Sequence, residues 1–463
     1  MIRIFSHYVP KLAFILLLLE TLILLVAASM SSPLWFGQAR SPYPEQATYL
    51  APLAFALLII LCMSALGMYQ HGSREAIRTS LVRIMPSFAL AFGLISALVA
   101  VRPDIYPGGA AHGAVFVLGA AGVLLARLVV FKSAESALLE ARVMFVGSGP
   151  LARECIEVAG GKLGLHQLNV VACIALADET ACVPQARPLS ANESLLAMAH
   201  KVAATEIVVT VSNRRSSNFP VRQLLECALG GLTVLDAATF FEREACQIRI
   251  DSLHPSYLIF GGGFDQGFVR AASKRVFDIV ASLAIGAAAL PVMAATALAI
   301  LLDDGGPVLY RQERVGKDGR LFKVLKFRSM RRDAEKSGTP SWAAADDARV
   351  TRVGRLIRKL RIDELPQMFN VLKGEMSFVG PRPERAYFVE QLIDEVPYYN
   401  VRHGIKPGVT GLAQVRYQYG ASVQDAVQKL QYDLYYVKNN SLFLDLLILI
   451  DTVQVVLFGK GGR

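Results

Sequence analysis

The stretch IVASLAIGAAALPVMAATALAILL, residues 279–302, decides how this chain is built. It carries no charge and is longer than the roughly 20 residues that cross a bilayer core. Arg270, Lys274 and Arg275 precede it, and Arg311, Arg314, Lys317 and Arg320 follow. Positive flanks favour the cytoplasmic side, so both ends ask for the same face of a membrane. Pro291 sits at its middle, where a helix loses a hydrogen bond and bends. A re-entrant helix hairpin satisfies length, charge and proline together; a buried core helix is the plain alternative. The hairpin would hold the downstream residues beside lipid head groups.

Upstream, four more apolar runs lie at about 12–30, 49–69, 82–101 and 110–131, each near spanning length. Arg3 and Lys11 precede the first; Arg74, Arg78 and Arg83 separate the second from the third; Arg127, Lys132 and Arg142 follow the fourth. The other two loops hold only Arg40 with Glu45 and Arg102 with Asp104. The charge pattern predicts four spans with the N-terminus and everything after the fourth run in the cytoplasm. No small-residue cleavage site follows the first run, so a signal peptide is not expected. Glu20 falls inside that run, either as a functional intramembrane acid or as a carboxyl facing a neighbouring helix. These runs explain why a chain of 463 residues is 53% hydrophobic and only 19% charged. Its six cysteines form no CxxC pair, which excludes a disulfide-built secreted fold and fits a reducing compartment.

From Arg142 the pattern becomes short apolar runs alternating with helical stretches. Strands are predicted at 142–146, 169–176, 206–211 and 231–235, and a helix runs to Ala159. Gly147-Ser148-Gly149-Pro150-Leu151-Ala152 gives a G-x-G-x-x-A turn between strand and helix, with Gly147, Gly149 and Ala152 at the positions that admit a pyrophosphate at a helix N-terminus. No acidic residue clearly closes the second strand, although Asp178 is near. Residues 142–250 contain no tyrosine, so the Tyr/Lys pair of short-chain reductases and epimerases cannot be built there. The segment is read as a Rossmann-like domain holding a nucleotide or sugar nucleotide, or serving structure or regulation, without redox chemistry.

The net charge of +10 is local: residues 311–361 hold 16 Lys/Arg against 6 Asp/Glu. Such a surplus serves an anionic leaflet, clamps phosphates or is simply a solvated basic face. Nucleic acid is not expected, because no recognisable binding motif is present. Then comes Arg361-Ile362-Asp363-Glu364-Leu365-Pro366-Gln367, opening a helix that ends at Lys373-Gly374. Asp at the start, Pro in the first turn and Gly after the end form a good capping pattern. The same placement suits catalysis: a carboxylate there can attack phosphorus, and its neighbour can hold Mg²⁺. Residue chemistry alone leaves both open.

Several ordered motifs carry a resemblance: Gly306-Pro307-Val308-Leu309-Tyr310-Arg311-Gln312-Glu313-Arg314-Val315-Gly316, KFRSM at 326–330, RIDELPQMFNVLKGEMSFVGPRPE at 361–384 and KPGVTGLAQV at 406–415. From Lys274 to the C-terminus the chain resembles the bacterial sugar transferase family, the monotopic polyprenyl-phosphate hexose-1-phosphate transferases. Lys274-Arg275-Val276-Phe277-Asp278 is similar to that family's basic entry into its re-entrant helix. Four spans and a Rossmann-like domain resemble its long, exopolysaccharide-associated members, as does the ending at 419–453. The implied architecture is a mixed membrane protein: a four-helix transmembrane bundle over 1–135, a Rossmann-like α/β domain over 136–250, a linker over 251–273, and an α-rich catalytic domain over 274–463 with its re-entrant hairpin.

The resemblance implies that Asp363 attacks the sugar-proximal phosphorus of a UDP-sugar, releasing UMP, and that undecaprenyl phosphate then accepts the sugar phosphate. It makes Glu364 the Mg²⁺-positioning residue and a homodimer the expected form, serving downstream glycosyltransferases at the bacterial inner membrane. Lys326, Arg328, Arg382 and Arg314 are the candidate phosphate-binding cations, with Gln367 and Asp433 as further polar site residues. The Asp363-Glu364 pair argues against an inert membrane scaffold, the competing class. Residues 442–458 read as an interfacial helix, since Asp445 and Asp451 interrupt them.

Overall fold

A computed structural model describes residues 1–36, 45–69, 74–101, 110–134, 141–160, 168–176, 182–189, 193–211, 219–252, 262–264, 267–332, 349–417, 420 and 422–458. Arg40, Arg102, Asp104 and Asp178 lie outside the described residues. The chain forms two compact units, Met1–Ile4 with Tyr8–Ala245 and Phe5–His7 with Cys246–Arg463.

In the first unit the four apolar runs are helices: α1 (Lys11–Phe36), α2 (Glu45–Ala65), α3 (Arg74–Val101) and α4 (Ala110–Ala134). Lys11–Ser29 and Leu81–Leu98 are long and apolar enough to cross a bilayer by length and composition; the apolar parts Pro52–Ala65 and Val115–Val130 are shorter. Helix α1 packs on α2 and α4, and α3 on the same two. Leu24, Ile59, Phe88 and Phe116 fill the space between them. Glu20 is fully buried and meets Arg127, whose Nε donates to Oε1 at 2.6 Å and Nη2 to Oε2 at 3.1 Å. Tyr69 donates its hydroxyl to the same carboxylate. An unpaired charge in an apolar bundle is costly, and pairing answers the question of Glu20: it faces a neighbouring helix. Arg127, read as a flanking loop charge, is its buried partner.

After the four helices the unit forms a five-stranded, all-parallel sheet with helices between its strands. Its elements are β1 (Arg142–Val146), α5 (Pro150–Ala159), β2 (Asn169–Ala175), β3 (Arg187–Pro188), α6 (Leu195–Lys201), β4 (Glu206–Val209), α7 (Val221–Leu229), β5 (Thr233–Asp236) and α8 (Ala237–Ala245). The strand order β3-β2-β1-β4-β5 is that of a Rossmann-type half. At the first turn Gly147 has φ +117°, and a Cβ there would lie 2.6 Å from the Thr210 hydroxyl, so glycine is required. Cys182 donates its N–H to the Ser148 carbonyl at 2.7 Å, laying a later segment over that turn. Strand β2 ends at Ala175 without an acidic residue. All six cysteines are free.

The second unit is organised around α9 (Phe268–Asp304), a single helix of 37 residues in which Pro291 lies without ending it. The loss of one N–H is tolerable in an apolar helix when the adjacent turns stay paired. Helix α9 starts inside the predicted linker. Lys274, Asp278, Ser282, Gly286, Met293, Ala297 and Ile300 lie at helical spacing on its buried or half-buried side, while Val280, Leu283, Leu290, Leu298 and Leu301 are exposed. Then follow β6 (Leu309–Val315), β7 (Leu321–Phe327), α10 (Arg352–Lys359), α11 (Gln367–Lys373), β8 (Ser377–Val379), α12 (Ala386–Glu395), β9 (Gly408–Thr410), α13 (Leu412–Arg416), α14 (Val423–Asn439) and α15 (Leu442–Phe458). Strands β6 and β7 form an antiparallel hairpin, and β8 pairs with β9 in parallel.

Candidate active site

Between α10 and α11 the chain makes one 3₁₀ turn, Ile362–Glu364, so the predicted helix starts later, at Gln367 after Pro366. Neither helix end receives a side-chain cap from Asp363. Its Oδ1 is buried and has no hydrogen-bond partner among the described residues. A cap would be satisfied; an unsatisfied buried carboxylate oxygen is costly and asks for a functional reason. The capping interpretation of Asp363 therefore fails.

Glu364 is the opposite case. Lys326 Nζ donates to its Oε1 at 3.0 Å and Arg382 Nη2 to the same oxygen at 3.2 Å, while Arg361 Nη1 stands 4.0 Å away. Burial alone would raise its pKa, but Lys326, Arg382 and Arg361 outweigh burial and hold the carboxyl well below the usual range. Asp363 moves the other way, raised by burial and by the charge of Glu364 against the pull of Lys326, Arg361 and Arg358. Two neighbouring carboxyls with diverging affinities for protons mark a division of roles. Burial also lowers the pKa of Lys326, against the pull of Glu364.

Each cation has a positioning device. Asn370 in α11 accepts from Leu325 N–H at 3.0 Å and donates to Lys323 C=O at 2.8 Å, pinning the β7 edge so that Lys326 reaches Glu364. Arg275 of α9 donates to the Val371 and Leu372 carbonyls, capping the α11 C-terminus, where Gly374 turns left-handed at φ 85°. Arg382 sits in a backbone whose carbonyls are all held: Pro381 by Gly408 N–H at 2.9 Å, Arg382 by Arg402 at 3.0 Å, Pro383 by Arg314 at 3.1 Å and Glu384 by Val315 N–H at 2.9 Å. A Cβ at Gly408 would fall 2.1 Å from Gly380 N, so only glycine allows this approach.

Of the residues expected from sequence, Asp363, Glu364, Lys326 and Arg382 come together. Arg314 supports the Pro383 carbonyl and pairs with Glu384 at 3.4 Å. Arg328 is turned onto the end of α9, donating to the Asp304 and Gly305 carbonyls and pairing with Asp304 at 3.3 Å. Asp433 grips Arg402 at 2.8 Å, one step behind Arg382. Gln367 is buried in the first turn of α11. Pro291 is exposed on α9, and Gly147, Gly149 and Ala152 belong to the first unit. Sequence reading gave no individual role to Asn370, Arg402 or Asp278, whose Oδ1 accepts from Ser377 Oγ and Phe378 N–H and ties α9 to β8.

Among the described residues no three His, Cys, Asp or Glu side chains converge as a metal cage. One or two carboxylates suit a Mg²⁺ ion that takes its remaining ligands from substrate phosphate and water. The Asp363-Glu364 pair fits that donor set and no preformed one.

The region carrying this geometry, residues 269–459, matches the family described as Bacterial sugar transferase. Over 197 residues, 41% of the chain, it is 42% identical to the Exopolysaccharide production protein PSS of Rhizobium leguminosarum bv. phaseoli and covers 97% of it. The chain belongs to the bacterial sugar transferase family. This sugar transferase is also similar to the UDP-N-acetylgalactosamine-undecaprenyl-phosphate N-acetylgalactosaminephosphotransferase of Aeromonas hydrophila, 45% identical over 242 residues, 52% of this chain and 56% of that one. To the UDP-glucose:undecaprenyl-phosphate glucose-1-phosphate transferase of Klebsiella pneumoniae it is 42% identical over 237 residues, 50% of each. It spans about half the length of these two relatives.

Proposed function

We propose that this sugar transferase moves a sugar 1-phosphate from a UDP-sugar to undecaprenyl phosphate, the first step of lipid-linked exopolysaccharide or capsule synthesis. The observation that carries the reading is the unpartnered buried Oδ1 of Asp363 beside a Glu364 whose charge is already neutralised. Asp363 attacks the sugar-proximal phosphorus; the bond to the UMP oxygen breaks and its electron pair leaves with UMP. The acceptor's phosphate oxygen then attacks the same phosphorus and releases the Asp363 carboxylate, giving a polyprenyl diphosphate sugar. Cationic groups around the phosphoryl are the main demand of such transfers, and Lys326 and Arg382 offset the Glu364 charge that would oppose it. Mg²⁺ held through Glu364 and the donor diphosphate would supply further charge neutralisation.

The chain is a membrane protein, with three helices long and apolar enough to cross a bilayer. Our reading places four N-terminal spans and the catalytic unit at the inner membrane, with the catalytic face cytoplasmic. Both ends of α9 favour a re-entrant path. Lys274 binds Asp445 at 2.6 Å and the Val379 carbonyl at one end, and Asp303 accepts from Val353 N–H at the other. Contacts of this kind at both ends support the re-entrant reading. A homodimer that hands its product to downstream glycosyltransferases completes the reading, on family resemblance.

Purified protein with Mg²⁺, undecaprenyl phosphate and a panel of UDP-sugars tests it. Lipid-dependent UMP release that disappears in Asp363→Asn is expected; equal release by the mutant would remove Asp363 from the mechanism.

A further inference from the structure

The cations of the site are not equally committed. Lys326 and Arg382 hydrogen-bond Glu364, while Arg314, Arg328 and Arg402 each carry backbone carbonyls. Among the described cations within ion-pair range of Glu364, Arg361 alone stands beyond hydrogen-bond distance, at 4.0 Å, and it is 45% exposed. Its backbone is unusual too. Arg361 occupies the left-handed region, φ 58° and ψ 17°, immediately before the turn that carries Asp363. Glycine or asparagine takes that conformation easily, whereas a long side chain there is strained. Strain of this kind persists where surrounding structure enforces it, and it clusters at functional sites. Its N–H is held by the Arg358 carbonyl at 3.2 Å, and its own carbonyl accepts from Glu364 N–H at 3.3 Å.

We propose that Arg361 is a substrate-binding residue that swings from its position beside Glu364 onto the non-bridging oxygens of the donor's sugar-proximal phosphate as Asp363 attacks. The proposal rests on the transfer reaction above. A guanidinium offers paired N–H donors to phosphate oxygens. Resting near Glu364 without hydrogen-bonding it, Arg361 has little to give up when a phosphate enters. The buried Oδ1 of Asp363 lacks a donor in the resting site, and Arg361 precedes Asp363 by two residues in the chain. Lys326 and Arg382 meanwhile keep Glu364 neutralised.

The test separates backbone from charge. Arg361→Asn keeps the tolerance for a left-handed backbone and loses the cation; Arg361→Lys keeps a cation; Arg361→Gly is a second variant that relieves the strain. The readouts are the stoichiometric UMP burst from UDP-sugar without acceptor lipid, transfer of the preformed adduct to undecaprenyl phosphate, and thermal midpoint. We expect Arg361→Asn and Arg361→Gly to melt at or above the wild-type midpoint and to lose the donor burst rate by about 10²-fold, the scale of losing one oriented donor. Arg361→Lys should recover part of it, and adduct transfer should be spared. A wild-type burst in Arg361→Asn overturns the proposal. So does a loss confined to the lipid step, which would make the acceptor phosphate the ligand. So does loss of activity in step with lowered midpoints in both neutral variants, which would make the residue structural. Absence of UMP release by wild type on every donor, with or without lipid, would instead bring down the transfer reaction itself.

Discussion

Asp363 and Glu364 are neighbours in the chain with opposite electrostatics. In the proposed mechanism Asp363 must be ionised to attack phosphorus, and burial and Glu364 raise its pKa. The acid limb of kcat/KM should therefore lie above the ordinary aspartate value of about 3.9, with activity falling as pH drops through it. Measuring kcat/KM from pH 4 to 8 checks this, and a limb below that value contradicts it. The same shift has a stability consequence. A carboxyl whose folded pKa is raised weakens the fold above that pKa, because its charge is disfavoured there. Asp363→Asn should melt at or above wild type near neutral pH while losing at least about 10³-fold in turnover. For Glu364 the sign reverses: its depressed pKa contributes stability above the ordinary glutamate range, lost as pH falls toward the folded value. Sequence exposed these two residues, Lys326 and Arg382, because ordered motifs fix their chemistry. It did not show that Arg314 and Arg328 face carbonyls, since a positive charge in a sequence does not say which oxygen it meets. Arg402 was invisible for another reason: its partner Asp433 lies 31 residues away.

At the scale of elements, the helices followed from periodicity and length, but their ends did not. Helix α9 runs through Pro291 and into the predicted linker because its polar N-terminal turns have partners: Lys274 meets Asp445, the Tyr436 hydroxyl and the Val379 carbonyl. Asp445, read as the mark of an interfacial helix, is fully buried in this network. Removing one partner of a buried pair leaves the other uncompensated, at about 3–5 kcal/mol. Lys274→Met should therefore lower stability by roughly 3 kcal/mol in denaturant titration, discounted toward the low end because Lys274 is partly exposed. No change would mean that the network is dispensable. Gly408→Ala should cost about 3 kcal/mol or more, since its Cβ would overlap the Gly380 backbone. That change should also displace Arg382, and a fully active, stable variant would refute the proposed support of Arg382.

At the scale of the molecule, the broad plan was legible: apolar helices first, a parallel sheet next, the sugar transferase region last. Alternating short runs marked four of the five strands but not their order, and β3, only two residues long, gave no periodic signal. The Glu20–Arg127 pair bridges the first and last helices of the apolar group, 107 residues apart, beyond the reach of any local pattern. Single cysteines at Ser273 and Asp303 should label from the same side of sealed vesicles; labelling from opposite sides would make α9 a true span.

A covalent intermediate on Asp363 is tested most directly by intact-mass and peptide analysis of wild-type protein quenched after mixing with its UDP-sugar, without acceptor lipid. One added sugar-phosphate mass is expected on the peptide containing Asp363, matched by stoichiometric UMP and absent in Asp363→Asn. UMP formed only when lipid is present, with no adduct at any time, would contradict it.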